Sequence, residues 1–223
     1  MNMKKIISFF IVACCAMCAT AAKVVWQIGV ADNSGTELAL GPSEYKKFLA
    51  HDFGYEDRYF LVGTSVDKND FPYVLPGPDD TWGGTWSTSG WRTHDANILF
   101  GIKKLPKHGK WKLVVDLVDA NPSRSVVKVM VNSAEKKFEI KGHSKGVLEG
   151  NLQDAKEQIL EFPISADDLK KGGNMVTVSV LEGGWIVFDQ IRLEGADELV
   201  LEKNNEYAFL RNVAPAEYEM EMD

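Results

Sequence analysis

Residues 71–94 gather the side chains best suited to chemistry. Trp82, Trp86 and Trp91 fall within ten residues and make up half of the six tryptophans in the 223-residue chain. Tyr73, Asp80, Arg92 and His94 stand in the same stretch. The C–H face of a pyranose packs on an indole ring, while carboxylate, guanidinium and imidazole groups satisfy its hydroxyls. This stretch therefore reads as a sugar-holding surface, with the three tryptophans as the stacking platform and Tyr73, Asp80, Arg92 and His94 as polar contacts. Pro72, Pro76 and Pro78 with neighbouring glycines disfavour regular structure, so the stretch is expected to be a long connection. In the competing reading the rings plug one end of the domain and the Pro/Gly content makes a rigid Ω-type loop.

Other chemistries find less support. The adjacent carboxylates Glu56-Asp57, Asp79-Asp80 and Asp167-Asp168 are each explained by a turn, a loop or a helix start, and glycoside hydrolysis needs its two carboxyls held apart across a cleft. His51, His94, His108 and His143 are scattered, none at metal-ligand spacing. No G-x-S-x-G nucleophile signature occurs. No catalytic residues are assigned, and the chain is expected not to be an enzyme. No cofactor is expected. Asp32-Asn33-Ser34-Gly35 and Asp67-Lys68-Asn69-Asp70 could offer oxygens to a structural calcium, but both lack the full spacing of a calcium loop and read first as hydrogen-bonded turns.

The elements that must carry these residues are mostly short, β-branched, alternating segments punctuated by Gly, Pro, Asn and Asp. Nine strands are expected: residues 24–29, 58–64, 96–102, 110–118, 125–132, 136–140, 158–164, 175–181 and 185–193. They fit an all-β, two-layer antiparallel sandwich. Residues 126–140 read as a hairpin with a four-residue connection, 132–135. Residues 175–193 read as a second paired unit reversing at Glu182-Gly183-Gly184. Two short helices are expected: Ser43 to Ala50 with Ser43 as cap, and Ala166 to Lys171 ended by Gly172-Gly173. Trp26, Trp111 and Trp185 sit in strand-like apolar patterns and are expected in the core.

At the N-terminus, Lys4-Lys5, the apolar run Ile6–Ala13 and Ala19-Thr20-Ala21 resemble an export signal over residues 1–21. A secreted or periplasmic protein is expected. Ile11-Val12-Ala13-Cys14 supports the alternative of a lipoprotein at the cell surface. All three cysteines lie in this segment, so the exported chain is expected to lack thiols and disulfides. No later segment approaches the roughly 20 apolar residues of a membrane span. The formal charge is −7, and the signal carries two of the lysines, which argues against a nucleic-acid partner. The sandwich domain is expected over residues 22–200, followed by a partly disordered extension, 201–223, with an acidic end.

The segments Val25-Trp26-Gln27-Ile28-Gly29-x-x-Asp32 with Glu37-Leu38, Tyr59-Phe60-Leu61-Val62-Gly63-x-Ser65 and Asp70-Phe71-Pro72-Tyr73 resemble the third, carbohydrate-binding-module-like domain of rhamnogalacturonan lyases of polysaccharide lyase family 4. The ending Gly173-Asn174 to Leu193 is similar to the last strands of galactose-binding-like sandwiches. The resemblance covers roughly residues 24–194 and implies a jelly-roll, galactose-binding-like fold. Relatives occur as N-terminal modules of bacterial glycan-degrading enzymes. The catalytic machinery of those lyases lies in a separate domain without counterpart in this sequence, so nothing catalytic carries over. Together with the tryptophan-rich stretch, the resemblance implies a non-catalytic exported module that binds a polysaccharide or oligosaccharide. The alternative it leaves open is a structural or interaction module, a truncated accessory domain working with a glycan-degrading enzyme and binding no glycan itself.

Overall fold

A computed structural model of the chain describes residues 22–49, 58–84 and 94–203. Its strands are β1 (Lys23–Gly29), β2 (Arg58–Leu61), β3 (Val74–Leu75), β4 (Ala96–Lys104), β5 (Lys110–Ala120), β6 (Arg124–Val131), β7 (Ala134–Lys141), β8 (Gln158–Ser165), β9 (Gly172–Glu182), β10 (Ile186–Gly195) and β11 (Val200–Glu202). The first sheet runs β1-β10-β5-β8, with β3 also on β10; the second runs β11-β4-β9-β6-β7, with β2 also on β4. The two sheets form the all-β sandwich. All pairings of these strands are antiparallel except β2 with β4, which is parallel.

Alternation along the strands decides what faces inward. In the first sheet Ile28, Ile191, Val115 and Leu160 lie in one cross-strand row and Trp26, Leu193, Leu113 and Phe162 in the next, and both rows join the core. Trp26 meets Phe100 of the opposite sheet at 5.4 Å between ring centroids. Phe71 links the layers' edges, 5.9 Å from Phe60 and 5.2 Å from Phe188. Trp26, Trp111 and Trp185 are all buried, as the sequence pattern predicts.

Several local expectations change. The β6–β7 hairpin turns on two residues, Asn132 and Ser133, because Val131 already pairs with Ala134; Asn132 takes the positive φ (52°) that a tight turn of this hand needs. Residues 175–193 are not a hairpin. Strand β9 pairs with β4 and β6, whereas β10 belongs to the other sheet, so residues 183–185 arch between the layers. Gly183 makes this crossing possible: its φ is +81° and a Cβ there would lie 2.2 Å from the Arg124 carbonyl oxygen. A reversal within a sheet and one between sheets demand the same residue types, so local sequence does not separate them.

The first expected helix is a single 3-10 turn, Tyr45–Lys47; Ser43 makes no cap and instead has φ +78°. The second is the turn Ala166–Asp168, held by a reciprocal capping box of Ser165 and Asp168. Gly172 and Gly173 open β9 rather than end a helix. One four-residue α-helix, Asp67–Asp70, has no counterpart among the sequence expectations. At one end of the sandwich, where β1 and β5 finish and β8 and β10 begin, residues 30–49, 71–84, 121–123, 142–157 and 183–185 converge. No helix among the described residues is long and apolar enough to cross a membrane.

Candidate functional site

The tryptophan-rich stretch begins on this loop end. After β3, Pro76 and Gly77 lead to Asp80 and a 3-10 turn, Thr81–Gly83, closed by Gly84 in the left-handed conformation. The Asp80 carboxylate organises the turn. Its Oδ2 accepts the Gly77 N–H at 2.8 Å, and the carboxylate also takes the Trp185 backbone N–H and the Trp82 side-chain N–H. Asp80 is 7% exposed, and burial, aided by the neighbouring Asp79 charge, pushes its pKa up to about 6 against the pull of those donors.

Trp82 is half-buried. Tyr45 packs edge-on against it at 4.9 Å between centroids, and Phe48 approaches at 6.2 Å with an interplanar angle of 84°. The Tyr45 hydroxyl donates to Glu149 Oε1 at 3.0 Å, tying this cluster to the 142–157 loop. Trp82 is thus held on three sides: two rings and a carboxylate.

The other sequence candidates are placed differently. Tyr73 is fully buried and its hydroxyl donates to the Leu148 carbonyl at 3.1 Å; burial pushes the phenol's pKa up. His94 is also buried, just before β4. Tyr73, His94 and Asp80 are thus buried side chains, and Asp80 shapes the turn that carries Trp82. Trp86, Trp91 and Arg92 lie outside the described residues.

Of the two candidate calcium loops, residues 32–35 fold as a side-chain-bonded turn and residues 67–70 as the short α-helix. Asp32 Oδ1 accepts the Ser34 N–H at 3.1 Å; Asp67 Oδ2 accepts the Gly29 N–H and Asp70 Oδ2 the Val66 N–H, at 2.8 and 2.7 Å. Among the described residues no group of three or more acidic, histidine or cysteine side chains is arranged to hold a metal ion.

Sequence reading missed a second polar region, on the outward face of the first sheet. There Gln27, Arg192, Val114 and Glu161 form one cross-strand row and Gly29, Gln190, Asp116 and Ile159 the next. Arg192 is bound by Glu194 and Gln190, each at 2.8 Å, and its Nη1 lies 3.8 Å from Asp116 Oδ2. Lys112 joins Glu161 at 2.6 Å to Glu194 at 3.1 Å. Asp116 is 2% exposed; burial and the carboxylates of Glu157 and Asp189 push its pKa up to about 6, although Arg192 opposes them. The signal for this region is an aspartate interrupting each of two apolar strands, Leu113-Val114-Val115-Asp116-Leu117 and Ile186-Val187-Phe188-Asp189.

Comparison with known families decides the ancestry. Residues 24–193 match the family described as CBM-like: polysaccharide lyase family 4, domain III. The chain belongs to this family. Among solved structures, a family 35 carbohydrate-binding module from an environmental isolate is 14% identical, with a TM-score of 0.33, over 49% of this chain and 71% of that one. The CBM35 of Cellvibrio japonicus Abf62 is 11% identical, TM-score 0.33, over 48% and 70%. The family GH115 4-O-methyl-α-glucuronidase BtGH115A is 18% identical, TM-score 0.33, over 46% of this chain but only 13% of its own. No curated protein matches the chain. As a member of the lyase domain III family, the chain is a carbohydrate-binding-module-like sandwich, and it is this fold that brings the Trp82 loop and the Asp116 face to the same end.

Proposed function

We propose that the chain is an exported, non-catalytic carbohydrate-binding module that holds a polysaccharide on its tryptophan-rich loop. The observation that carries this reading is the mounting of Trp82: a half-buried indole fixed by Tyr45, Phe48 and Asp80, four and nine residues before Trp86 and Trp91 in the sequence. A ring fixed before binding loses little entropy when a pyranose packs on it, which favours affinity. Membership of a carbohydrate-binding-module-like family supports the same reading. Trp82, Trp86 and Trp91 form the stacking surface, Arg92 supplies a polar contact, and the leader at residues 1–21 directs export.

Affinity electrophoresis through gels containing pectic polysaccharide or mannan tests this. The expected result is retardation of the wild-type chain by at least one glycan, relieved in Trp86→Ala and Trp91→Ala variants that keep wild-type stability. Unretarded migration in every gel would overturn the reading. Capture of a glycan-degrading enzyme in a pull-down that free sugar does not compete would favour an interaction module instead.

A further inference from the structure

Lys68 stands in Asp67-Lys68-Asn69-Asp70, one of the two segments whose composition suggests a structural cation. The cation this segment supplies is its own ammonium group. Lys68 Nζ donates to three backbone carbonyls of a separate loop: Thr36 at 2.8 Å, and Leu38 and Gly41 at 3.3 Å each. An ammonium has three N–H donors and no acceptor, so three carbonyls match it in full. The acidic neighbours of Lys68 are turned to other partners. Asp67 takes the Gly29 N–H, while Asp70 takes the Val66 N–H and lies 3.8 Å from Arg58. The charge of Lys68 thus falls on carbonyl dipoles, as a metal ion's would.

The carbonyls converge because the loop is bent against its own preferences. Asn33, Gly35, Leu40 and Ser43 all have positive φ, 61°, 63°, 63° and 78°. For a bulky residue such as Leu40 that conformation is strained and persists only where its surroundings enforce it. Packing does part of this: a Cβ on Gly41 would lie 2.6 Å from the Gly35 carbonyl oxygen and 2.9 Å from Tyr73 Cβ, and Ala39 forms backbone hydrogen bonds with Phe71 and Tyr73. Lys68 does the rest. Carbonyl oxygens brought together repel one another, and a cation among them removes that cost.

This loop leads directly into the mounting of Trp82. The Leu40 carbonyl, between those of Leu38 and Gly41, accepts the Glu44 N–H at 3.1 Å. The turn Tyr45–Lys47 follows at once, and Tyr45 and Phe48 reach Trp82 at 4.9 and 6.2 Å between ring centroids.

We infer that Lys68 serves as a tethered cation: its ammonium fills the cage of Thr36, Leu38 and Gly41 carbonyls and thereby sets how Tyr45 and Phe48 hold Trp82. Lys68 is a positioning residue for the glycan surface and touches no glycan itself. The inference rests on the carbohydrate-binding reading above. A support of this kind fixes the ring before the ligand arrives, so its loss is felt in affinity more than in overall stability.

Two variants test it. Lys68→Met keeps the length without the charge, and Lys68→Ala leaves room for an amine from solution. Hydrogen exchange of residues 36–49 reports the loop, and calorimetric titration with oligogalacturonate and manno-oligosaccharide reports the surface. The expected result in Lys68→Met is faster exchange confined to residues 36–49, with glycan affinity lowered roughly fivefold or more and a melting temperature within about 5 °C of wild type. In Lys68→Ala, n-propylammonium chloride is expected to restore slow exchange and affinity, and tetramethylammonium chloride, which has no N–H donor, is not. Unchanged exchange at residues 36–49 in Lys68→Met would overturn the cage. Faster exchange with affinity within twofold of wild type, or a Lys68→Met chain that unfolds outright, would overturn the positioning role and leave the carbohydrate-binding reading standing. A wild-type chain that binds neither glycan would count against that reading, and the exchange measurement still decides whether the cage exists.

Discussion

The indole N–H of Trp82 donates to the buried carboxylate of Asp80 two residues earlier, and the same carboxylate takes backbone N–H groups from Gly77 and Trp185. One side chain thus joins the tryptophan-rich loop to the arch that carries the chain from the second sheet into the first. It explains why a group with a strongly raised pKa persists here: three donors stabilise a charge that burial penalises.

Removing that carboxylate leaves the donors without an acceptor in a buried place. Asp80→Ala is expected to cost about 3 kcal/mol, at the upper range for hydrogen bonds to a charged group, and to shift tryptophan emission to the red as the Trp82 ring loosens. Urea unfolding followed by fluorescence measures both. A loss below about 0.5 kcal/mol would show that the loop holds without Asp80.

The pH profile of stability follows from two carboxyls raised to about 6, Asp80 and Asp116, with Asp189 raised as well. Between the ordinary aspartate range near 4 and their folded values near 6, the native state binds more protons than the unfolded chain. Stability therefore falls as pH rises through this window and levels off above it. A tenfold difference in proton affinity between the folded and unfolded states is worth about 1.4 kcal/mol, so the melting temperature is expected to be higher at pH 5 than at pH 7. Asp116→Asn removes the charge while keeping the shape; it should stabilise the protein at pH 7 and flatten the profile. Thermal scans from pH 4.5 to 7.5 check this, and a melting temperature that rises steadily with pH would contradict it.

Much of the fold was legible because burial imposes a period of two. Trp26, Ile28, Leu113, Val115, Ile191 and Leu193 occupy every second position of their strands, and each faces the core. What escaped is what period does not encode. Strands β3 and β11 are two and three residues long, too short to show alternation, and the parallel pairing of β2 with β4 joins segments far apart in sequence. Among the candidate site residues, Trp82 lies at the loop end that its composition suggests, but Tyr73, Asp80 and His94 turn inward. A polar residue type says that a hydrogen bond is needed, not whether protein or ligand supplies it.

Two close approaches of backbone make sharp tests of the layer crossings. A Cβ at Gly142 would lie 1.6 Å from the Ala120 carbonyl oxygen, and one at Gly183 would meet the Arg124 carbonyl at 2.2 Å with a positive φ besides. Gly142→Ala and Gly183→Ala are each expected to cost more than about 3 kcal/mol or to yield insoluble protein, whereas Gly63→Ala, which meets nothing within 4 Å, loses only what its positive φ demands, about 1–2 kcal/mol. Soluble yield and urea midpoints of the three variants separate these cases. Equal losses in all three would show that the close approaches do not matter.

The central claim is that this sandwich binds glycan without cleaving it. Isothermal titration of the chain against soluble neutral and pectic oligosaccharides, with the same mixtures assayed for new reducing or unsaturated ends, addresses it in one experiment. The account predicts saturable binding to at least one glycan and no new ends after prolonged incubation. Flat titrations across the panel, or ends that accumulate with time, would contradict it.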